Sequence, residues 1–133
     1  MACYFEGLRV TKMKKILIIE DDENIANAEK LILEGDYEVH VANEGDTGFE
    51  IAKKVAPDLI ILDLMLPNRG GYDVCYNIRQ EQNLKNTKIL MVTALNQQVD
   101  KSKGVMVGTD AYLTKPFEAE DLLSNVSKLL NGQ

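Results

Sequence analysis

The sequence has few cysteines and no long apolar run, and these absences exclude several classes of protein. Its two cysteines, Cys3 and Cys75, lack the spacing of a metal site or a disulfide framework, which fits a reducing cytosol. No apolar run approaches the roughly 18 residues that a membrane-spanning helix needs. The first dozen residues lack the apolar core of a secretory signal. We therefore expect a cytoplasmic protein that does not contact the membrane.

The sequence also lacks an excess of positive charge. Its formal net charge is −6, whereas a surface that binds nucleic acid needs a basic stripe, so we expect no direct contact with nucleic acid. The length of 133 residues, with 45% hydrophobic and 27% charged residues, is ordinary for one globular domain.

Three short apolar runs predict buried strands. They cover residues 16–19, 59–62 and 89–92, and such runs are typical of strands that are covered on both faces in a parallel sheet. Two weaker strand candidates are Glu38–Ala42 and residues 111–114.

Helical patterns alternate with these strands. The predicted apolar stripes are Ile25, Ala28, Leu31 and Ile32; Phe49, Ala52 and Val55; Val74 and Ile78; and Leu122, Leu123, Val126, Leu129 and Leu130. A further helix is predicted over residues 97–107, although Gly104 weakens it. The alternation predicts an α/β fold, a doubly wound parallel sheet with helices on both faces.

Acidic residues follow two of the predicted strands. The first strand leads into Glu20-Asp21-Asp22-Glu23, and the third ends in Asp63. If these strands are neighbours, Glu20, Asp21 and Asp63 converge at the carboxyl edge of the sheet, where open parallel sheets bind ligands. Converging carboxylates need a cation between them, and all-oxygen ligation suits Mg²⁺. The alternative is that the acidic run is only a solvated first helical turn, favoured by the helix dipole.

The other strand ends favour the first interpretation. The fourth strand ends in Thr93, a hydroxyl, and the fifth in Lys115, an ammonium. A metal, a carboxylate nucleophile, a hydroxyl and a lysine are the groups that phosphoryl transfer to an aspartate needs. The sequence therefore predicts phosphorylation of Asp63.

These residues resemble the receiver domain of bacterial response regulators. The resemblance covers residues 14–130 and is specific in its motifs. These are Lys-Ile-Leu-Ile-Ile-Glu-Asp-Asp at the first strand, Asp63-Leu-Met-Leu-Pro67, Gly71, Thr93-Ala94, and the run from Gly108 to Phe117 that ends in Thr-Lys-Pro-Phe. It implies a flavodoxin-like fold, a five-stranded parallel sheet ordered 2-1-3-4-5 with five helices, an order for which a chemotaxis relative is a known example.

The resemblance also implies the roles of individual residues. Asp63 is the phosphoacceptor. Asp21 and Asp63 ligate Mg²⁺ directly, together with the backbone carbonyl of Met65, and Glu20 acts through a water. Thr93 and Lys115 contact the phosphoryl group.

Further roles concern switching and the lifetime of the signal. Tyr112 takes the position of an aromatic switch that responds to Thr93. The Lys115–Pro116 bond is expected to be cis. Met65 and Leu95 border the approach of the hydrolytic water and offer it no hydrogen bond, so slow self-dephosphorylation is expected.

The implied partners are a sensor histidine kinase or a histidine phosphotransfer protein, and an output protein or domain that docks near helix four, strand five and helix five. The chain would act as a signalling switch that catalyses only its own phosphorylation and dephosphorylation. Residues 14–131 are predicted to form the receiver domain, preceded by an extension over residues 1–13 whose role stays open. Whether the chain is a stand-alone regulator or a part of a larger regulator or hybrid kinase stays open.

Alternative functions belong to other classes. A flavin- or nucleotide-binding module on the same fold would need a phosphate-cradling loop after the first strand, but here that loop is acidic and no G-x-G-x-x-G or Walker pattern occurs. A phosphatase with an aspartyl-phosphate intermediate would carry a D-x-D pair on strand one. A pseudo-receiver that is not phosphorylated would lack site residues that are present here.

Overall fold

The computed structural model describes residues 12–94 and 99–132. The strands are β1 (Lys15–Ile19), β2 (Glu38–Ala42), β3 (Leu59–Asp63), β4 (Lys88–Ala94) and β5 (Ala111–Lys115). The helices are α1 (Glu23–Leu33), α2 (Gly45–Val55), α3 (Gly71–Gln80), α4 (Lys101–Val107) and α5 (Ala119–Asn131), with a short 3-10 helix at Gln82–Leu84.

The five strands form one parallel sheet in the order β2-β1-β3-β4-β5. This confirms the expected doubly wound α/β fold. Strands β1, β3 and β4 extend the three apolar runs by one to three residues. The ladders also pair Lys15 with Glu38 and Leu59 with Lys88 at the strand starts, and Asp63 with Val92 and Ala94 with Lys115 at the carboxyl edge.

Two apolar cores flank the sheet, because successive side chains of a strand point to opposite faces. Leu17 and Ile19 of β1 pack on one side in a core that α2 and α3 cover. Ile16 and Ile18 pack on the other side in a core that α1 and α5 cover.

The predicted apolar stripe of α1 is confirmed for Ile32, which packs against the core, but its phase is otherwise wrong. The buried residues of this helix are Ala26, Glu29 and Leu33, whereas Leu31 is 71% exposed. Ala26 and Leu33 pack with the β1 core residues, and this contact fixes which face of the helix is turned inward. A glutamate thus occupies a position where the helical period calls for an apolar residue.

Helix α4 begins later than predicted. Residues 99 and 100 are not helical, and the predicted positions 97 and 98 lie outside the described residues. Asp100 caps the helix by accepting a hydrogen bond from the Lys103 backbone N–H at 3.0 Å. Although glycine disfavours helix, it fits at position 104 because any Cβ there would overlap the Tyr112 hydroxyl.

Arg79 of α3 ties the segments that precede β4 and β5. Its guanidinium donates to the carbonyls of Thr87 at 2.7 Å and Gly108 at 2.9 Å, and pairs with Asp110 at 2.9 Å. The planar guanidinium suits several acceptors at once. Among the described residues, no helix is both long and apolar enough to cross a membrane.

Candidate functional site

Three acidic side chains meet at the carboxyl edge of the sheet. Ile19 of β1 pairs with Leu62 of β3, so that the residues that follow, Glu20 and Asp63, lie side by side. One carboxylate oxygen from each of Glu20, Asp21 and Asp63 lies within 4.8 Å of the other two. The structure therefore brings together the three acids that the sequence predicted to converge.

The acids differ in burial. Glu20 is 2% exposed and Asp63 is 8% exposed, whereas Asp21 is exposed. Asp22 does not join the cluster, because its side chain caps α1 and accepts hydrogen bonds from the backbone N–H groups of Asn24 and Ile25. The solvated-turn interpretation of the acidic run thus holds for Asp22 but does not account for the buried Glu20.

Lys115 supplies positive charge to the cluster. Its Nζ lies 2.8 Å from Glu20 Oε1 and 3.7 Å from Asp63 Oδ2. Burial raises the pKa of Glu20, and the neighbouring charge of Asp63 raises it further, against the opposing effect of the Lys115 hydrogen bond. Burial alone would lower the pKa of Lys115, but the hydrogen bond to Glu20 and the charge of Asp63 outweigh burial and raise it.

This donor set fits a divalent cation. Three carboxylates with one ammonium leave an excess of negative charge, which repels itself unless a cation is present. The donors are all oxygen, the preference of Mg²⁺. Met65 lies against the same carboxylate, since its backbone N–H donates to Asp63 Oδ1 at 3.2 Å, while its side chain is 68% exposed.

The backbone after Asp63 is held by a close approach. The Gly71 N–H donates to the Leu64 carbonyl at 2.8 Å, and a Cβ on Gly71 would lie only 2.6 Å from the Asp63 carbonyl oxygen. Only glycine fits this position without displacing the end of β3. The predicted Gly71 motif therefore has a steric reason.

Thr93 and Lys115 occupy adjacent strand ends on the other side of Asp63. Thr93 is 2% exposed and lies one residue beyond Val92, the β4 partner of Asp63. The Lys115–Pro116 peptide bond is cis, as expected. Leu95, the predicted second border of the water path, lies outside the described residues.

Tyr112 has a partner that the sequence did not reveal. Its hydroxyl lies 3.2 Å from that of Tyr72 on α3, and the Tyr72 hydroxyl donates to the Asp100 carbonyl at 3.0 Å. Burial, together with the Tyr72 hydrogen bond, raises the pKa of Tyr112. The expected aromatic switch residue is therefore half-buried here and tied to the start of α4. In the sequence, Tyr72 is recognisable only as an aromatic residue directly after Gly71, and nothing there indicates its contact with Tyr112.

Comparisons with known proteins agree with this geometry. The family described as "Response regulator receiver domain" matches residues 16–127. The "DNA-binding dual master transcriptional regulator RpaA" of Synechocystis sp. is 44% identical over 119 residues, which cover 89% of this chain and 49% of that protein. This chain thus spans about half the length of that relative.

Two solved structures share the fold. A putative response regulator from Chloroflexus aurantiacus is 36% identical, with a TM-score of 0.84 over 90% of this chain and 99% of that chain. The receiver domain of the sensor histidine kinase PA1611 from Pseudomonas aeruginosa is 26% identical, with a TM-score of 0.81 over 90% of this chain and 99% of that chain. The latter holds a magnesium ion in its active-site cleft.

Proposed function

The chain belongs to the response regulator receiver domain family of two-component signalling, and on this premise we propose that Asp63 accepts a phosphoryl group from a histidine kinase or a histidine phosphotransfer protein. The observation that carries the proposal is the convergence of Glu20, Asp21 and Asp63 within 4.8 Å, with Lys115 beside two of them. Asp63 is suited to be the nucleophile because it is the acid that ends a buried strand.

In the proposed reaction a carboxylate oxygen of Asp63 forms a bond to phosphorus as the P–N bond of a phosphohistidine donor breaks, and the imidazole takes a proton. Asp21, Asp63 and the carbonyl of Met65 would hold Mg²⁺, and Glu20 would bind it through a water; the ion supplies charge neutralisation on the phosphoryl oxygens. Lys115 would exchange its contact with Glu20 for a phosphoryl oxygen. The Thr93 hydroxyl would donate a hydrogen bond to a second phosphoryl oxygen.

Phosphorylation is proposed to act as a switch at Tyr112. A phosphoryl group that draws the Thr93 hydroxyl inward frees space beside β5, and the contact of Tyr112 with Tyr72 then changes. The helix that this contact holds, α4, exposes Val105 (77%) and Met106 (85%). An output protein or domain would dock on the surface formed by α4, β5 and α5. The phosphoryl group shifts the equilibrium only through contacts that differ between the two states.

The wider setting is also part of the proposal. We place the receiver unit at residues 14–131 and the protein in the cytoplasm. It would catalyse only the phosphorylation and dephosphorylation of its own Asp63. RpaA is named a DNA-binding regulator, but the net charge of −6 supports a domain that does not contact nucleic acid itself. The comparisons lend no support to the flavin- or nucleotide-binding alternative or to an unphosphorylated pseudo-receiver.

The first test measures the intact mass of the protein after incubation with acetyl phosphate. We expect the mass of one phosphoryl group to be added in Mg²⁺ and not in EDTA, and we expect no gain for Asp63→Asn. Asp22→Asn is the matched control, because Asp22 is exposed and asparagine also caps helices. Equal gains for Asp63→Asn and the parent protein would remove Asp63 from the role.

Calorimetric titration with Mg²⁺ tests the metal ligands. Asp21→Asn should bind Mg²⁺ more weakly because one charged ligand is lost, while Asp22→Asn should bind it as the parent does. Equal weakening by both substitutions would show that general negative charge, rather than ligation by Asp21, governs the affinity.

The switch is tested by the amide spectrum with and without beryllofluoride, which mimics the phosphoryl group. Changes are expected at β5 and α4, including Tyr112. An unchanged spectrum on this face would rule out the switch while leaving the phosphorylation of Asp63 intact.

A further inference from the structure

Glu29 of α1 is buried without a partner. It is 2% exposed, and neither carboxylate oxygen has a hydrogen-bond partner among the described residues. Burial raises the pKa of Glu29 to about 8, and the charge of Glu20 contributes in the same direction. A buried polar group without a hydrogen bond destabilises the folded protein, so that a donor from outside the chain would stabilise it.

The same carboxyl lines a cavity beside the site. The Glu29 cavity lies between α1 and the segment that links β5 to α5, and has a volume of about 430 Å³. Its apolar wall consists of Ile25, Ala28, Ile32, Pro116 and Phe117. Ligand cavities commonly have about 300–1,000 Å³, mostly apolar walls and a few polar groups that orient the ligand. Glu29 is such a group.

We propose that the Glu29 cavity binds a small monoamine, a molecule with a compact apolar body and one ammonium or amidinium group that donates to the Glu29 carboxylate. The apolar wall would cover the body of the ligand. Glu29 would bind the cation as a carboxylate and release its own proton on binding, since burial raises its pKa to about 8 and only an ionised carboxylate accepts hydrogen bonds without donating one. This inference goes beyond the proposed phosphorylation and does not depend on it.

Charge favours a cation over an anion or a neutral ligand here. Lys115 also lines the cavity, but its ammonium is held by Glu20 at 2.8 Å and lies 3.7 Å from Asp63. Its charge is thus offset mainly by those acids, although it also acts on Glu29 and lowers the pKa of that acid against the effect of burial. The hydrogen bond of a charged donor to a carboxylate is stronger than one between neutral groups.

The test follows backbone amide shifts of the full chain during titration with 2-phenylethylamine, in saturating Mg²⁺ so that the acidic cluster is occupied. We expect saturable shifts along α1 and at Phe117. Glu29→Gln should weaken binding about tenfold or more, because it removes a charge-assisted hydrogen bond. Glu34→Gln is the matched control, since it makes the same change at the exposed C-cap of the same helix and should bind as the parent does.

Two analogues that lack the amine, one neutral and one anionic, test the proposal in the parent protein without any substitution. In the parent protein, 2-phenylethanol and 3-phenylpropionate should bind more weakly than the amine. The proposal is overturned by the absence of saturable shifts on α1 in saturating Mg²⁺, by equal affinities of Glu29→Gln and the parent, or by an analogue that binds as tightly as the amine.

Discussion

The buried carboxyl of Glu29 predicts an unusual dependence of stability on pH. Its pKa is about 8 in the folded protein against an ordinary value of 4.5, so that the unfolded chain releases the proton at a lower pH than the folded chain. Between these two values the folded state holds more protons, and stability falls as the pH rises. The usual acid, whose pKa is lowered by folding, gives the opposite slope.

The magnitude follows from the width of the interval. Each pH unit within it is worth about 1.4 kcal/mol, so that raising the pH from about 5.5 to about 7.5 should lower the free energy of unfolding by about 2–3 kcal/mol through Glu29. This is a large fraction of the roughly 5–15 kcal/mol that stabilises a typical domain.

The assay is urea unfolding of the parent protein and of Glu29→Gln over this pH range, in EDTA so that the acidic cluster holds no metal in either protein. Titrating groups far from Glu29 affect both proteins alike, so that the difference between the two curves reports Glu29 and its charge interactions with Glu20, Lys115 and Asp63. We expect the parent to lose stability relative to Glu29→Gln as the pH rises. Parallel curves, within about 0.5 kcal/mol, would mean that Glu29 ionises normally in the folded state, and the reasoning would be refuted.

Two further substitutions test other parts of the structure. Gly104→Ala should destabilise the protein by about 1–3 kcal/mol in urea unfolding, because its Cβ would displace the Tyr112 hydroxyl, whereas Gly35→Ala, which has no atom within 4 Å of its Cβ, should not; equal stabilities would show that the Tyr112 packing is loose. The Met65→Asn, Leu95→Glu double variant should lose its phosphoryl group faster than the parent at fixed Mg²⁺, measured by intact mass over time, because both new side chains can orient a water. Unchanged or slower decay would show that these side chains do not control the water.

The strands and the acidic cluster could be predicted because both depend on local sequence. Apolar runs identify strands that are buried on both faces, and the residue that follows such a run lies at the carboxyl edge of the sheet. Glu20, Asp63 and Thr93 were therefore located from sequence position alone. The strand order came from the family resemblance, since local periodicity does not determine which strands are neighbours.

The remaining features depend on tertiary contacts. The buried face of α1 could not be predicted, because the stripe that includes Leu31 is as apolar as the stripe that is buried. The buried stripe contains Glu29, and a charged residue normally indicates the exposed face of a helix. Tyr72 and Tyr112 lie 40 positions apart, and their contact follows from packing between α3 and β5. The late start of α4 depends on the cap by Asp100, which the apolar pattern of this segment does not reveal.

The most direct test of the account is to locate the modified residue. After incubation with acetyl phosphate and Mg²⁺, borohydride reduces an aspartyl phosphate to an alcohol, and peptide mass spectrometry identifies the position. We expect the reduced residue at Asp63, and at no other acid, only when Mg²⁺ is present. Reduction at Asp21 or Asp22, or no reduction in a protein whose amide spectrum shows the intact fold, would contradict the proposal that Asp63 carries the phosphoryl group.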